Sequence, residues 1–109
     1  MNFNFKPVTR DELKNLINTL IEERGNKADL NDIDVSQITD MSDLFFGSNF
    51  NGNISKWNTS SVTDMSWMFA KSKFNCDISK WNTSSVTDMS WMFAKSKFNC
   101  DISKHPNIS

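Results

Sequence analysis

The chain holds few side chains able to do chemistry: one histidine, His105, and two cysteines, Cys76 and Cys100, set 24 residues apart. Two thiols and one distant imidazole do not make a zinc set. His105 has no nucleophile pattern near it, and neither a glycine-rich phosphate loop nor a paired catalytic carboxylate motif appears. No catalytic residue, metal or cofactor is expected. Equivalent residues in stacked layers lie roughly 4.8 Å apart, which places the two cysteines within disulfide reach. Reduced thiols are nonetheless the expectation. Gly52 holds the same position one unit earlier, so the slot reads as one for small residues, and cytosolic disulfides are rare. Asp40, Asp64 and Asp88 recur at the same offset. A calcium ladder would use such a column, but capping of a helical turn explains it more simply. Thr59, Thr83, Thr63 and Thr87 could order water as a flat array, yet caps account for half of them.

Recognition is better served than reaction. Trp67 and Trp91 stand where the preceding unit has Asp43. A position open to both Asp and Trp reads as solvent-facing, and an exposed Trp can anchor a partner. Lys56 and Lys80 (with Lys104), Asn58 and Asn82, and Ser60 and Ser84 flank the inward residues of the unit. They are expected to line an exposed strand face, the usual binding face of repeat proteins. Such a polar, repetitive face suits an extended protein or glycan ligand.

These positions belong to a repeat. Residues 54–80 are identical to residues 78–104, a run of 27 at an offset of 24. A diverged copy precedes them, aligning Ile38/Val62/Val86, Met41/Met65/Met89, Leu44/Met68/Met92, Phe45/Phe69/Phe93, Phe50/Phe74/Phe98 and Ile54/Ile78/Ile102. The composition follows from this: 9 Phe, 4 Trp and 6 Met but no Tyr are a few apolar columns counted repeatedly. A unit so short cannot bury its apolar face alone, so neighbours must share one core.

The spacing Ile78-x-x-Trp81-x-Thr83-x-x-Val86 follows a leucine-rich-repeat pattern and predicts a short strand near Trp81–Ser84. Met89, Met92 and Phe93, at i, i+3 and i+4, predict a helical turn. Ahead of the repeats, Thr9 and Glu12 form a capping box. Leu13, Leu16, Ile17, Leu20 and Ile21 make one apolar stripe, and Gly25 ends the helix. The expected architecture is an α/β repeat solenoid. It is a short right-handed stack of parallel strands and helical turns, with a capping helix segment at 1–25, three repeats plus the start of a fourth at 26–104, and a stub at 105–109.

The unit Phe74-Asn-Cys-Asp-Ile-Ser-Lys-Trp-Asn-Thr-Ser-Ser-Val-Thr-Asp-Met-Ser-Trp-Met-Phe93 resembles the repeat of BspA-like bacterial surface proteins. That resemblance covers nearly the whole chain. It implies a leucine-rich-repeat-like fold and, for some members, adhesion at the cell surface or after secretion. It carries no catalytic residues over. The chain opens without a signal-like apolar stretch, so its location is left open. Cys76 and Cys100 depart from the glycine usual at their position.

Net charge of −1 gives no electrostatic case for nucleic acid, and no apolar run is long enough for membrane insertion. The sequence therefore reads as a non-catalytic binding or adhesion module. The rival reading is an engineered or truncated structural scaffold without a native ligand, motivated by the verbatim repeats. Both readings expect a homodimer in which the open C-terminal rung buries Trp91, Met92 and Phe93 in a two-fold contact, head-to-tail growth being blocked by the N-terminal helix.

Overall fold

In the computed structural model, residues 3–103 and 105 are described. The helix α1 spans Arg10–Arg24. The Thr9 hydroxyl accepts from the Glu12 amide at 3.1 Å, and Gly25, at φ 89°, donates its amide to Ile21. Leu13, Ile17 and Leu20 are buried, so the expected stripe faces the core. The bidentate pair of Arg24 with Asp32, 3.0 Å on each arm, ties the end of α1 to the first repeat.

The expected α/β repeat solenoid of parallel strands and helical turns does not form. Among the described residues α1 is the one helix, and pairing is confined to four isolated parallel bridges, Phe5–Ile33, Asp29–Asn53, Asp40–Asp64 and Asp64–Asp88. There is no sheet. The predicted strand near Trp81–Ser84 is absent because its amides close local turns. Trp81 N–H bonds Ile78 O, Val86 N–H bonds Thr83 O, and Ser84 N–H bonds the side chain of Asn82. The predicted helical turn at Met89–Phe93 is also absent. Trp91 adopts φ 58° there, and Lys95 φ 52°, which breaks any right-handed helix.

What forms instead is a run of overlapping turns. In residues 41–48 the amides of Leu44, Phe46 and Ser48 bond the carbonyls three residues back, at Met41, Asp43 and Phe45. The alternate amides, of Met41, Asp43, Phe45 and Gly47, point the other way, to Asp64, Ser66, Met68 and Ala70 of the next repeat at 2.8–3.0 Å. The pattern recurs one unit later, from Met65, Trp67, Phe69 and Lys71 to Asp88, Ser90, Met92 and Ala94. Thr63 and Lys73 donate back to Thr39 and Ser48, and Thr87 and Lys97 back to Thr63 and Ser72. Both junctions share these six backbone bonds, each with a longer one besides, from the Asp64 or Asp88 amide to the same Thr39 or Thr63 carbonyl at 3.3–3.4 Å.

Side chains stack in the same register. Phe45, Phe69 and Phe93 lie 5.5 and 5.6 Å apart with planes within 3°. Phe50, Phe74 and Phe98 form a second column, and Trp57 and Trp81 a third, at 6.3 Å. Each indole N–H reaches back a layer, Trp57 to Leu30 O and Trp81 to Ile54 O. A radius of gyration of 12.6 Å is close to the roughly 13 Å of a compact domain this size. So few layers do not make an elongated rod.

Candidate functional site

The left-handed residues come in two columns, Asp43/Trp67/Trp91 at φ 58–59° and Gly47/Lys71/Lys95 at φ 65°, 55° and 52°. Each is the third residue of a turn, the position where a type II turn requires positive φ. Gly meets that need without strain, and Asp tolerates it. Tryptophan does not, and a bulky residue held there is an outlier worth a functional question.

The same two indoles are exposed, Trp67 at 38% and Trp91 at 64%. They stack 5.6 Å apart with planes 22° from parallel. Phe46, also exposed, extends the row at 6.2 Å from Trp67, and the Lys71 ammonium sits 5.8 Å over its ring. The two stacked indoles form a deck that lines an open cleft of about 820 Å³ edged by Lys71 and Lys95. Large exposed apolar surface beside cationic rims marks interaction sites.

The predicted strand face is not a strand. Lys56, Lys80, Asn58, Asn82 and Ser84 are exposed and Ser60 is half-buried. The Asn58 and Asn82 side chains are engaged in accepting the amides of Ser60 and Ser84, so they shape turns. Lys104, the third member of the lysine column, and the stub from Pro106 onward lie outside the described residues.

Trp91, Met92 and Phe93 divide at the C-terminal end. Met92 is fully buried, Phe93 is half-buried and Trp91 is open. Met92 therefore belongs to the core and offers no surface for self-association. Beside them the amides of Met89, Trp91, Phe93 and Lys95 repeat the outward-pointing set of the earlier layers but meet no acceptor among the described residues. A two-fold contact here would set one row of donors against another.

The sequence puts His105 in the place of a repeat tryptophan and attaches no chemistry to it. It is buried and stands in the tryptophan column. Its Nε2 lies 2.9 Å from Ile78 O and donates there, and its Nδ1 shares a hydrogen bond with the Thr83 hydroxyl at 3.2 Å. The imidazole thus does what Trp57 and Trp81 do in earlier layers. The available signal was the 24-residue offset from Trp81.

At the opposite end, α1 supplies side chains in place of amides. Arg10 Nε donates to Ser42 O, and Lys14 Nζ to Leu44 O at 2.6 Å. These carbonyls are the counterparts of Ser66 O and Met68 O, which take backbone donors. Burial pushes the Lys14 ammonium pKa down, and the charge of Arg10 adds to this.

The remaining columns are structural. Asp40, Asp64 and Asp88 each accept the amide two residues on, at 2.8–2.9 Å. The Ser90 hydroxyl bond, with the Ser90 amide, pulls the Asp88 carboxyl down. No cluster fit to hold a metal ion occurs among the described residues. The Cys76 and Cys100 thiols lie 3.4 Å from the carbonyls of Asn51 and Asn75, and burial raises the Cys76 pKa, away from the reactive thiolate. Gly52 proves not to be an interchangeable small slot. A Cβ on it would lie 2.0 Å from Ala28 O.

Residues 12–109 match the model of a family described as Mycoplasma protein of unknown function, DUF285. No curated protein and no solved structure matches the chain.

Proposed function

For a chain that belongs to the DUF285 family, we propose a non-catalytic binding module that holds a protein or glycan ligand on the Trp67–Trp91 deck. Adhesion at a cell surface is the setting implied by the resemblance to BspA-like proteins. The observation that carries this reading is the pair of indoles itself. They are exposed, stacked and seated where the backbone disfavours tryptophan. Neither burial nor turn geometry calls for an indole there, since Asp43 serves the same turn one layer earlier. Rings that brace each other also lose little freedom on binding, which favours affinity, and tryptophan is enriched among residues that dominate binding energy.

The test compares the wild type with W67S/W91S and with K56S/K80S on immobilised panels of glycans and proteins. Binding by the wild type should fall at least about tenfold, or about 1.4 kcal/mol, in W67S/W91S and persist in K56S/K80S. Binding lost only in the lysine variant would assign the ligand to the other face. A panel on which the wild type binds nothing would overturn the reading.

A further inference from the structure

Identical sequence presents the same edge twice, and one of the two is occupied. Residues 62–73 and 86–97 are the same twelve residues. On the first, four amides and two carbonyls pair with the next layer. Met65, Trp67, Phe69 and Lys71 donate to Asp88, Ser90, Met92 and Ala94, while Thr63 and Ser72 accept from Thr87 and Lys97, all at 2.8–3.2 Å. On the second, the amides of Met89, Trp91, Phe93 and Lys95 and the carbonyls of Thr87 and Ser96 find no such partner among the described residues. The edge therefore reads acceptor, four donors, acceptor.

Burial tells the same story. Phe69 and Ala70 are buried, whereas Phe93 and Ala94 are half-buried, and exposure of the tryptophan rises from 38% at Trp67 to 64% at Trp91. The difference is what one more layer covers. In the other half of this end His105 stands on Ile78 and Thr83, while Phe98 and Ile102 are half-buried. Among the described residues, the unpaired backbone row is that of residues 86–97.

We propose that this edge is a docking site for a polypeptide segment with the sequence of Val86–Lys97, supplied by another chain whose own copy has its acceptor carbonyls free. The complementarity is established inside the molecule, because that segment already binds an identical edge there, and an equivalent one is bound again by residues 62–73 on the diverged first repeat. A second intact copy of this chain does not qualify. Its repeats have their acceptors engaged, and its first-layer carbonyls at Ser42 and Leu44 are held by Arg10 and Lys14. An unpaired edge of this kind is a template for adding chain.

The experiment uses the full chain, a twelve-residue peptide of the Val86–Lys97 sequence, a scrambled peptide, and the same peptide carrying M92D. Amide hydrogen exchange resolved by residue is the readout. The cognate peptide should slow exchange at Met89, Trp91, Phe93 and Lys95 at least about fivefold and saturably, and leave Leu44 and Met68 unchanged. The scrambled and M92D peptides should not. A chain lengthened by a second copy of residues 74–97 should show the same four amides protected and a higher melting temperature. Equal protection by the scrambled peptide would overturn the proposal. So would a lengthened chain with those amides still in fast exchange. It would also fall if the free chain proves to be a dimer with them already protected.

Discussion

Arg24 and Asp32 meet through two parallel hydrogen bonds, and Asn4 adds a third to the carboxylate at 2.7 Å. The Arg24 bond, helped by Asn4, holds the Asp32 pKa at about 2, below its usual 3.8. A depressed carboxylate stabilises the fold above its unfolded pKa, and that stability is lost as pH falls through the folded value. Stability should therefore decline between about pH 4 and pH 2. In D32N that segment of the urea-denaturation profile should flatten, with lower stability at neutral pH. The pair is partly solvent-exposed, so the effect is modest. At this scale the sequence spoke unevenly. Thr9, Leu13, Ile17 and Gly25 took up the expected places because a cap and a stripe depend on local spacing. The tryptophan column read as solvent-facing because Asp43 shares it. For His105 the 24-residue offset from Trp81 marks the column, but that its imidazole does an indole's work is visible only when Ile78 O and Thr83 stand beside it.

The turn run is the element for which spacing misled. Met89, Met92 and Phe93 fit one face of a helix, yet Met89 and Met92 are buried because alternate peptide units rotate, sending one amide to the next layer and the following one to a turn. Side-chain period cannot register that alternation. The left-handed positions can be tested directly. Gly47 shows what the second column accepts, while Lys71 and Lys95 hold φ of 55° and 52° against the preference of an L residue. Relief of a strain of roughly 1–2 kcal/mol, offset by the roughly 0.5–1 kcal/mol of added freedom in the unfolded chain, makes K95G neutral to about 1.5 kcal/mol stabilising. By the same two terms in reverse, G47A should lose up to about 1.5 kcal/mol in the same denaturation assay. No neighbour lies within 4 Å of a Cβ at Gly47, so a loss there reports the backbone alone.

In the molecule as a whole, the 24-residue offset was legible and the means of joining layers was not. Identity between residues 54–80 and 78–104 foretold columns, and Phe45–Phe69–Phe93 and Trp57–Trp81 stand in them. The strands expected to hold the columns together are replaced by the six-bond junction and by side chains such as Thr59, whose hydroxyl donates to Asn82 O at 2.9 Å. The two ends differ for a related reason. R10M/K14M strips two charged donors from partly buried carbonyls and should cost about 2 kcal/mol. Urea unfolding with an unchanged slope checks this, since the surface exposed on unfolding stays nearly the same. A molecule whose first carbonyl row is capped by α1 at Ser42 and Leu44, while its last amide row faces outward, has a sense of direction. In any sequence of stacked chains it can stand at the head of the line but never within it, so the number of chains carrying α1 would set the number of stacks rather than their length.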